Sequence, residues 1–316
     1  MRLTYALAAV APLCWAGNFL VARAMRHAIP PFQMSFWRWT LAFLILLPFA
    51  WRPCFARRME LVRELPFLAL LGAIGVTAFT CFLYVALHDT TVVNAALINS
   101  LMPAVTFVFA LAILREPLPA RRLLGLVISF LGAIVIISRG HPLALMELAP
   151  NRGDLLVLGG LTFWALYTVL IRWRPTRLPP IAFLAATFAF GAIFHLPLVA
   201  WELTTTGGFP LDGESASALL YLAIFPSLVA FMVWNRAVAK LGPGRTGMFM
   251  HLLPIFSSVL AVVFLGEAFL AYHALGILLI LFGITLVARP AAKKASTAPG
   301  SSRWSGVRPG RDPRET

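Results

Sequence analysis

Two stretches decide the fold: LMPAVTFVFALAILREPL (residues 101–118) and LLPIFSSVLAVVFLGEAFL (residues 252–270). Pro103 answers to Pro254 and Glu116 to Glu267, each 151 residues apart, with an apolar helix-length run between. Gly125 and Gly132 extend the match to Gly276 and Gly283 at the same offset. Upstream, Trp15 pairs with Trp164, Arg23 with Arg172, Pro31 with Pro180 and Pro48 with Pro197, all 149 residues apart; the change of two is absorbed near residues 204–208. Self-similarity at a fixed long offset is the mark of an internal duplication.

The solvent of both copies is set by composition: 60% of the 316 residues are hydrophobic, 12% are charged, and the mean hydropathy is +0.86. Apolar runs of roughly 20 residues separated by short polar breaks are membrane spans, because that length crosses the hydrocarbon core as a helix. The runs predict an all-α membrane protein of ten transmembrane helices, at 3–22, 32–51, 65–87, 92–114, 122–138, 155–171, 179–201, 216–237, 245–265 and 270–288. They group as one five-helix unit over 3–138 and a second over 154–288. Residues 289–316, rich in Pro, Gly, Ser, Lys and Arg, cannot bury enough apolar surface to fold and read as a disordered basic tail. The run after Arg2 is too long for a signal-peptide core and reads as the first span. Cys14, Cys54 and Cys81 are odd in number and two lie in apolar segments, so they read as reduced packing residues.

The net charge of +14 invites a nucleic-acid partner, but its placement argues against one, and none is expected. With the N-terminus inside, 21 of the 26 Lys and Arg fall in alternate, inner segments, as the positive-inside rule requires. Both termini are therefore expected to be cytoplasmic, the tail facing an anionic inner leaflet. Arg-rich, Lys-poor usage suggests a GC-rich bacterial genome and hence a bacterial cell membrane.

The stretches WAGNFLVARAM (residues 15–25) and FWRWTLAFLILLP (residues 36–48), with the P-x(12)-E pattern leading into a Gly-containing helix, resemble the EamA repeats of the drug/metabolite transporter superfamily. The likeness covers the chain except its tail. It implies a ten-span transporter of small metabolites, often an exporter of amino acids or related compounds. One departure is Arg115 before Glu116, where the family more usually has Gly, as Gly266 stands before Glu267.

Independently of that likeness, an odd number of spans per unit inserts the second unit upside down, giving a pseudo-two-fold axis in the membrane plane and a basis for alternating access. Polar and aromatic groups inside spans are the candidates for the path. Trp15 and Asn18 share a helix face, as do Trp164 and Tyr167; each pair reads either as a cavity wall or as interhelical packing. Tyr84, Asn94, Asn99, Trp234 and Asn235 are further candidates. Arg38, the charge well inside the second span, would bind a substrate carboxylate, pair with Asp89, or snorkel to the headgroups. Pro103 and Pro254 free carbonyls and would make hinges. Glu116 and Glu267 fall on opposite membrane faces and read as turn anchors near Arg121 or His273, and the glycines as sites of close helix contact. No carboxylate sits at mid-membrane, which argues against a buried acidic relay and leaves His195 and His251 as the candidates for proton coupling, beside a purely structural role for both, with uncoupled facilitation or another proton route equally open.

An embedded transferase would need clustered acidic metal ligands, but Asp89, Asp154, Asp212 and Asp312 are scattered and no zinc or phosphate motif occurs. A membrane scaffold that carries no flux is the other alternative to transport. No catalytic residue, metal or cofactor is expected. The partners expected are the lipid bilayer and a small-molecule solute, with a homodimer among the assemblies open to such a chain.

Overall fold

Apolar runs in lipid must satisfy every backbone N–H and C=O internally, so each closes into a helix. The computed structural model describes residues 2–90, 92–141, 143, 151–265 and 268–288, and all its regular structure is helical. The tail at 289–316, Gly266 and Glu267 lie outside these residues. The first half comprises α1 (Arg2–Met25), α2 (Pro31–Ala56), α3 (Arg58–Asp89), α4 (Val92–Asn99), α5 (Met102–Leu114) and α6 (Ala120–Ile137). The second comprises α7 (Arg152–Trp173), α8 (Pro180–Thr206), α9 (Gly213–Leu241), α10 (Pro243–Gly247), α11 (Leu252–Leu265) and α12 (Ala271–Ala288). Eight apolar helical segments among the described residues are long enough to cross a membrane, and α12 supplies a shorter one.

Local sequence sets the boundaries. Pro31 and Pro180 open α2 and α8, where a missing N–H costs nothing. Asn151 with Asp154, and Asp212 with Ser215, form reciprocal caps at the starts of α7 and α9. Gly207 and Gly242 end α8 and α9 at φ of 76° and 84°, which a side chain would strain. Arg115 ends α5 at φ 55°, so the arginine adopts the conformation that glycine takes more readily.

Pro103 and Pro254 do not bend continuous helices. Each lies in the first turn of a new one, α5 or α11, after a short break at residues 100–101 or a 3-10 turn at Met248–His251. The physical reason is that proline is tolerated where its N–H would have no intrahelical acceptor. The π-helical turns were not expected: Gly72–Ala78 interrupts α3 and Ala223–Val229 interrupts α9, 151 residues apart.

Packing follows the same correspondence. Helix α2 lies along α8 and α6 along α12, while α3 packs on α7 as α9 packs on α1. At the α6–α12 seam a Cβ on Gly125 would stand 2.6 Å from the Gly283 carbonyl oxygen, and one on Gly132 2.8 Å from that of Gly276. The glycines thus permit the close contact expected of them, and the pairing of the earlier residue of one helix with the later residue of the other makes the seam antiparallel. The interior is aromatic, built around Trp15, Trp39, Trp164, Trp234, Phe188 and Phe231, while Leu44, Phe49, Val108, Leu278 and many other large apolar side chains face outward. That outward surface suits lipid.

Candidate functional site

Where the two halves meet, Trp15 and Trp164 touch edge to face at a centroid distance of 5.0 Å, and Trp234 lies 5.1 Å from Trp15. Edge-to-face contact sets the positive rim of one ring against the negative face of the next, so the cluster has a defined geometry. Beside it is a small cavity lined by Trp15, Asn18, Phe79, Asn99, Trp164 and Met250 among others, with room for little more than one water molecule. Four of the ten binding candidates therefore share one wall: Trp15, Asn18, Asn99 and Trp164.

The polar partners of this wall are organised by Arg38. Its side chain is 1% exposed. Nε donates to Ser227 Oγ at 2.6 Å, Nη1 to Asn18 Oδ1 at 3.0 Å and Tyr84 OH at 2.8 Å, and Nη2 to the Pro226 carbonyl at 3.2 Å. The guanidinium also lies 4.7 Å from the Trp39 ring. Arg38 thus turns inward: it neither snorkels nor pairs with Asp89. Its site is about 10 Å along α2, too deep for its head to reach an end of the helix while these acceptors hold it. The Pro226 carbonyl is available because the π turn in α9 disrupts regular bonding, and it also receives Trp15 Nε1 at 3.0 Å.

Tyr84 OH donates to Asn18 Oδ1 at 2.9 Å, joining α3 to α1. In the second half Tyr167 and Asn235 join α7 to α9, with Tyr167 OH 3.1 Å from Asn235 Oδ1 and Asn235 Nδ2 2.9 Å from the hydroxyl. Asn18 and Tyr167 are 149 residues apart, Tyr84 and Asn235 151, so the same tyrosine–asparagine bond recurs with its residues exchanged. Trp234 Nε1 donates to Thr168 Oγ1. Asn99 Nδ2 turns back to the Ala95 carbonyl within α4.

Other candidates lie apart from the cavity. Asn94 donates to both oxygens of Asp154 at 3.2 Å, at the start of α7. His195 and His251 are fully buried. His195 Nδ1 faces the Gly191 carbonyl at 2.7 Å and Nε2 faces Ser35 Oγ at 2.7 Å; His251 Nε2 faces the Ser100 carbonyl at 2.9 Å and Nδ1 faces Ser129 Oγ at 2.7 Å. A carbonyl only accepts, so the neutral rings carry their proton on Nδ1 of His195 and on Nε2 of His251. Ser35 leads on through Thr80 to Trp39 Nε1, a chain of hydroxyls running from the histidine to the aromatic core. Ser100 and His251, themselves 151 residues apart, occupy the breaks before α5 and α11 and bond to each other.

Sequence reasoning missed Ser227, Pro226 and Glu202. Glu202, near the end of α8, is buried and accepts the backbone N–H of Phe32 at 3.1 Å and of Gln33 at 2.8 Å, capping the N-terminus of α2 with a carboxylate. The only sequence signal for the π turn at Pro226 is a proline in an apolar run. Glu116 lies beside Gly242, its Oε1 3.2 Å from where a Cβ would stand, at the turn after α9. At the helix cap of α9, the Ser215 N–H and hydroxyl hold the Asp212 carboxyl below its ordinary range. Among the described residues no group of three or more His, Cys, Asp and Glu could hold a metal ion.

A model of the EamA-like transporter family matches the chain twice, over residues 2–138 and 151–289. Among similar proteins is the uncharacterized transporter YyaM of Bacillus subtilis, 26% identical over 84% of this chain and 87% of its own length. An uncharacterized transporter of Archaeoglobus fulgidus is 29% identical over 90% of this chain and 96% of its own. A probable terminal-alkyne amino-acid exporter of Streptantibioticus cattleyicolor is 28% identical over 80% and 82%. A solved crystal structure shares the fold with a TM-score of 0.74 at 20% identity, covering 91% of this chain and 97% of its own.

Proposed function

Because the chain belongs to the EamA-like transporter family, a multi-pass membrane protein in which two copies of one unit meet around an aromatic cavity, we propose that it exports a small metabolite by alternating access. The solute is an amino acid or related compound. The working parts are two inverted five-helix units, 3–138 and 154–288, in a bacterial cytoplasmic membrane with both termini inside. The observation that carries this reading is the antiparallel seam at Gly125, Gly132, Gly276 and Gly283, where helices at matching positions of the two copies run in opposite directions. The π turns 151 residues apart and the exchanged tyrosine–asparagine bond support it.

In this reading the present conformation is closed on both sides. Toward one end of α2, Glu202 of the second unit holds Phe32 and Gln33 of the first. Near the start of α3, at the other end of the bundle, Arg174 of the second unit pairs with Glu64 of the first at 3.2 Å. Opening to either side loosens one of these bridges while the other holds, and the breaks before Pro103 and Pro254 give the two units places to bend. The cavity wall, with Trp15 and Asn18 of one unit and Trp164 of the other, is then offered to each side in turn.

Metabolite profiling of cells lacking or overproducing the protein selects candidate solutes, and flux of those solutes in sealed proteoliposomes tests the reading. Absence of flux for every enriched solute, with correctly inserted protein, refutes it. An imposed pH gradient tests His195 and His251: flux that ignores the gradient in the native protein removes proton coupling through either ring.

A further inference from the structure

The donors and acceptors around the cavity do not balance. Arg38 offers five N–H groups, and four have acceptors among the described residues. Every one of those acceptors is neutral. No carboxylate of a described residue lies within 4.0 Å of the guanidinium, whereas the pairs that do meet that distance, Arg57 with Glu60 and Arg174 with Glu64, lie toward the start of α3. Glu202 is committed to the Phe32 and Gln33 amides, and Asp154 to Asn94 and the Asn151 amide. A second donor is idle. Trp164 Nε1, in a side chain 1% exposed on the cavity wall, has no hydrogen-bond partner among the described residues, although Trp15 at the matching position donates to Pro226. Asn18 belongs to both the cavity wall and the Arg38 cluster, so the positive charge stands one side chain behind the wall.

A cation held in a low-dielectric interior attracts an anion far more strongly than it would in water, and idle donors favour a ligand rich in acceptors. Resting on the transport reading above, we infer that Arg38 is the recognition group for a solute carboxylate. Once the units part and the closed cavity widens, it takes small organic carboxylates with a flat apolar body, which lies against the Trp15 and Trp164 rings while Arg38 supplies the counter-charge. As the units part, the Asn18 and Tyr84 contacts to Nη1 exchange for the carboxylate oxygens, which form the bidentate pair that a guanidinium favours. A cation that lacks a carboxylate finds no counter-charge among the described wall residues, so the site discriminates by whether the solute carries a carboxylate.

The test uses the full chain in nanodiscs and three probes with one body: phenylacetate, phenylacetamide and 2-phenylethylamine, titrated against protein tryptophan fluorescence. Phenylacetate is expected to bind at least about tenfold more tightly than the other two. Arg38→Gln abolishes that preference. Asn18→Asp, which keeps Arg38 and places a carboxylate about 3 Å from Nη1, supplies the counter-charge internally and also abolishes it, so the inference stays testable should Arg38→Gln fail to fold. Equal binding of the three probes, no binding of phenylacetate, or a preference that survives Asn18→Asp overturns the assignment. Flux of labelled phenylacetate in proteoliposomes separates the two readings. Charge-selective binding without flux of any solute sinks the carrier and keeps the Arg38 site; flux without charge selectivity does the reverse.

Discussion

The repeated tyrosine–asparagine bond provides an internal control, because one substitution can be made at both of its occurrences. Tyr167→Phe removes a hydroxyl whose one partner among the described residues is Asn235. Both groups are neutral, so the net loss is about 0.5–1.5 kcal/mol, and toward the lower end in a membrane bundle. Tyr84→Phe removes the equivalent bond to Asn18 and also the acceptor of an Arg38 N–H at 2.8 Å. A hydrogen bond to a charged group contributes about 1.5–3 kcal/mol, and the donor left behind is buried. Tyr84→Phe is therefore expected to cost roughly 1–2 kcal/mol more than Tyr167→Phe, a difference of about five- to thirtyfold in the folded-to-unfolded ratio. The volume change is the same in both, so packing loss largely cancels. Reversible unfolding in mixed micelles, titrated with SDS and followed by tryptophan fluorescence, reads the difference. Equal costs would refute the reasoning, since they would mean that Tyr84 takes no charge-assisted bond from Arg38.

Glu202→Ala strips two amides at the start of α2 of their acceptor and is expected to destabilise by about 2–4 kcal/mol, with Glu202→Gln intermediate, in the same unfolding assay. Gly132→Ala forces a methyl to within 2.8 Å of the Gly276 carbonyl and the Leu279 Cβ, at a cost of about 1–3 kcal/mol; Gly208→Ala meets nothing within 4 Å and stays within about 0.5 kcal/mol of the native protein. A comparable loss in both glycine variants would show that the seam between α6 and α12 is looser than described. The depressed Asp212 carboxyl stabilises the start of α9 above the ordinary carboxylate pKa of 3.8, and that contribution is lost as pH falls through its lower folded value. Amide exchange at Ser215 should therefore accelerate only in that acid window, and Asp212→Ala should remove the pH dependence.

Several features needed only the order of residues. Apolar runs of membrane length have one way to satisfy their backbone in lipid, so the helices were readable, as were the starts near Pro31 and Pro180. The offsets of 149 and 151 are covalent facts, and they already paired Trp15 with Trp164 and the glycines of α6 with those of α12 as equivalent positions, while their contacts came from folding. Tertiary structure decided what depends on helix rotation and on contacts between distant residues. Arg38 could have faced lipid, Asp89 or the interior, and it faces the interior because Asn18, Tyr84, Ser227 and Pro226 converge there from three other helices. Asn94 went to a helix end and Asn99 to the cavity, although both lie in α4. Pro103 and Pro254 began helices rather than bending them, a distinction between neighbouring turns that composition does not carry. The charge inside the bundle was visible in the sequence; that its neighbours are neutral, and that a solute carboxylate could complete it, depended on which side chains folding brought within bonding distance.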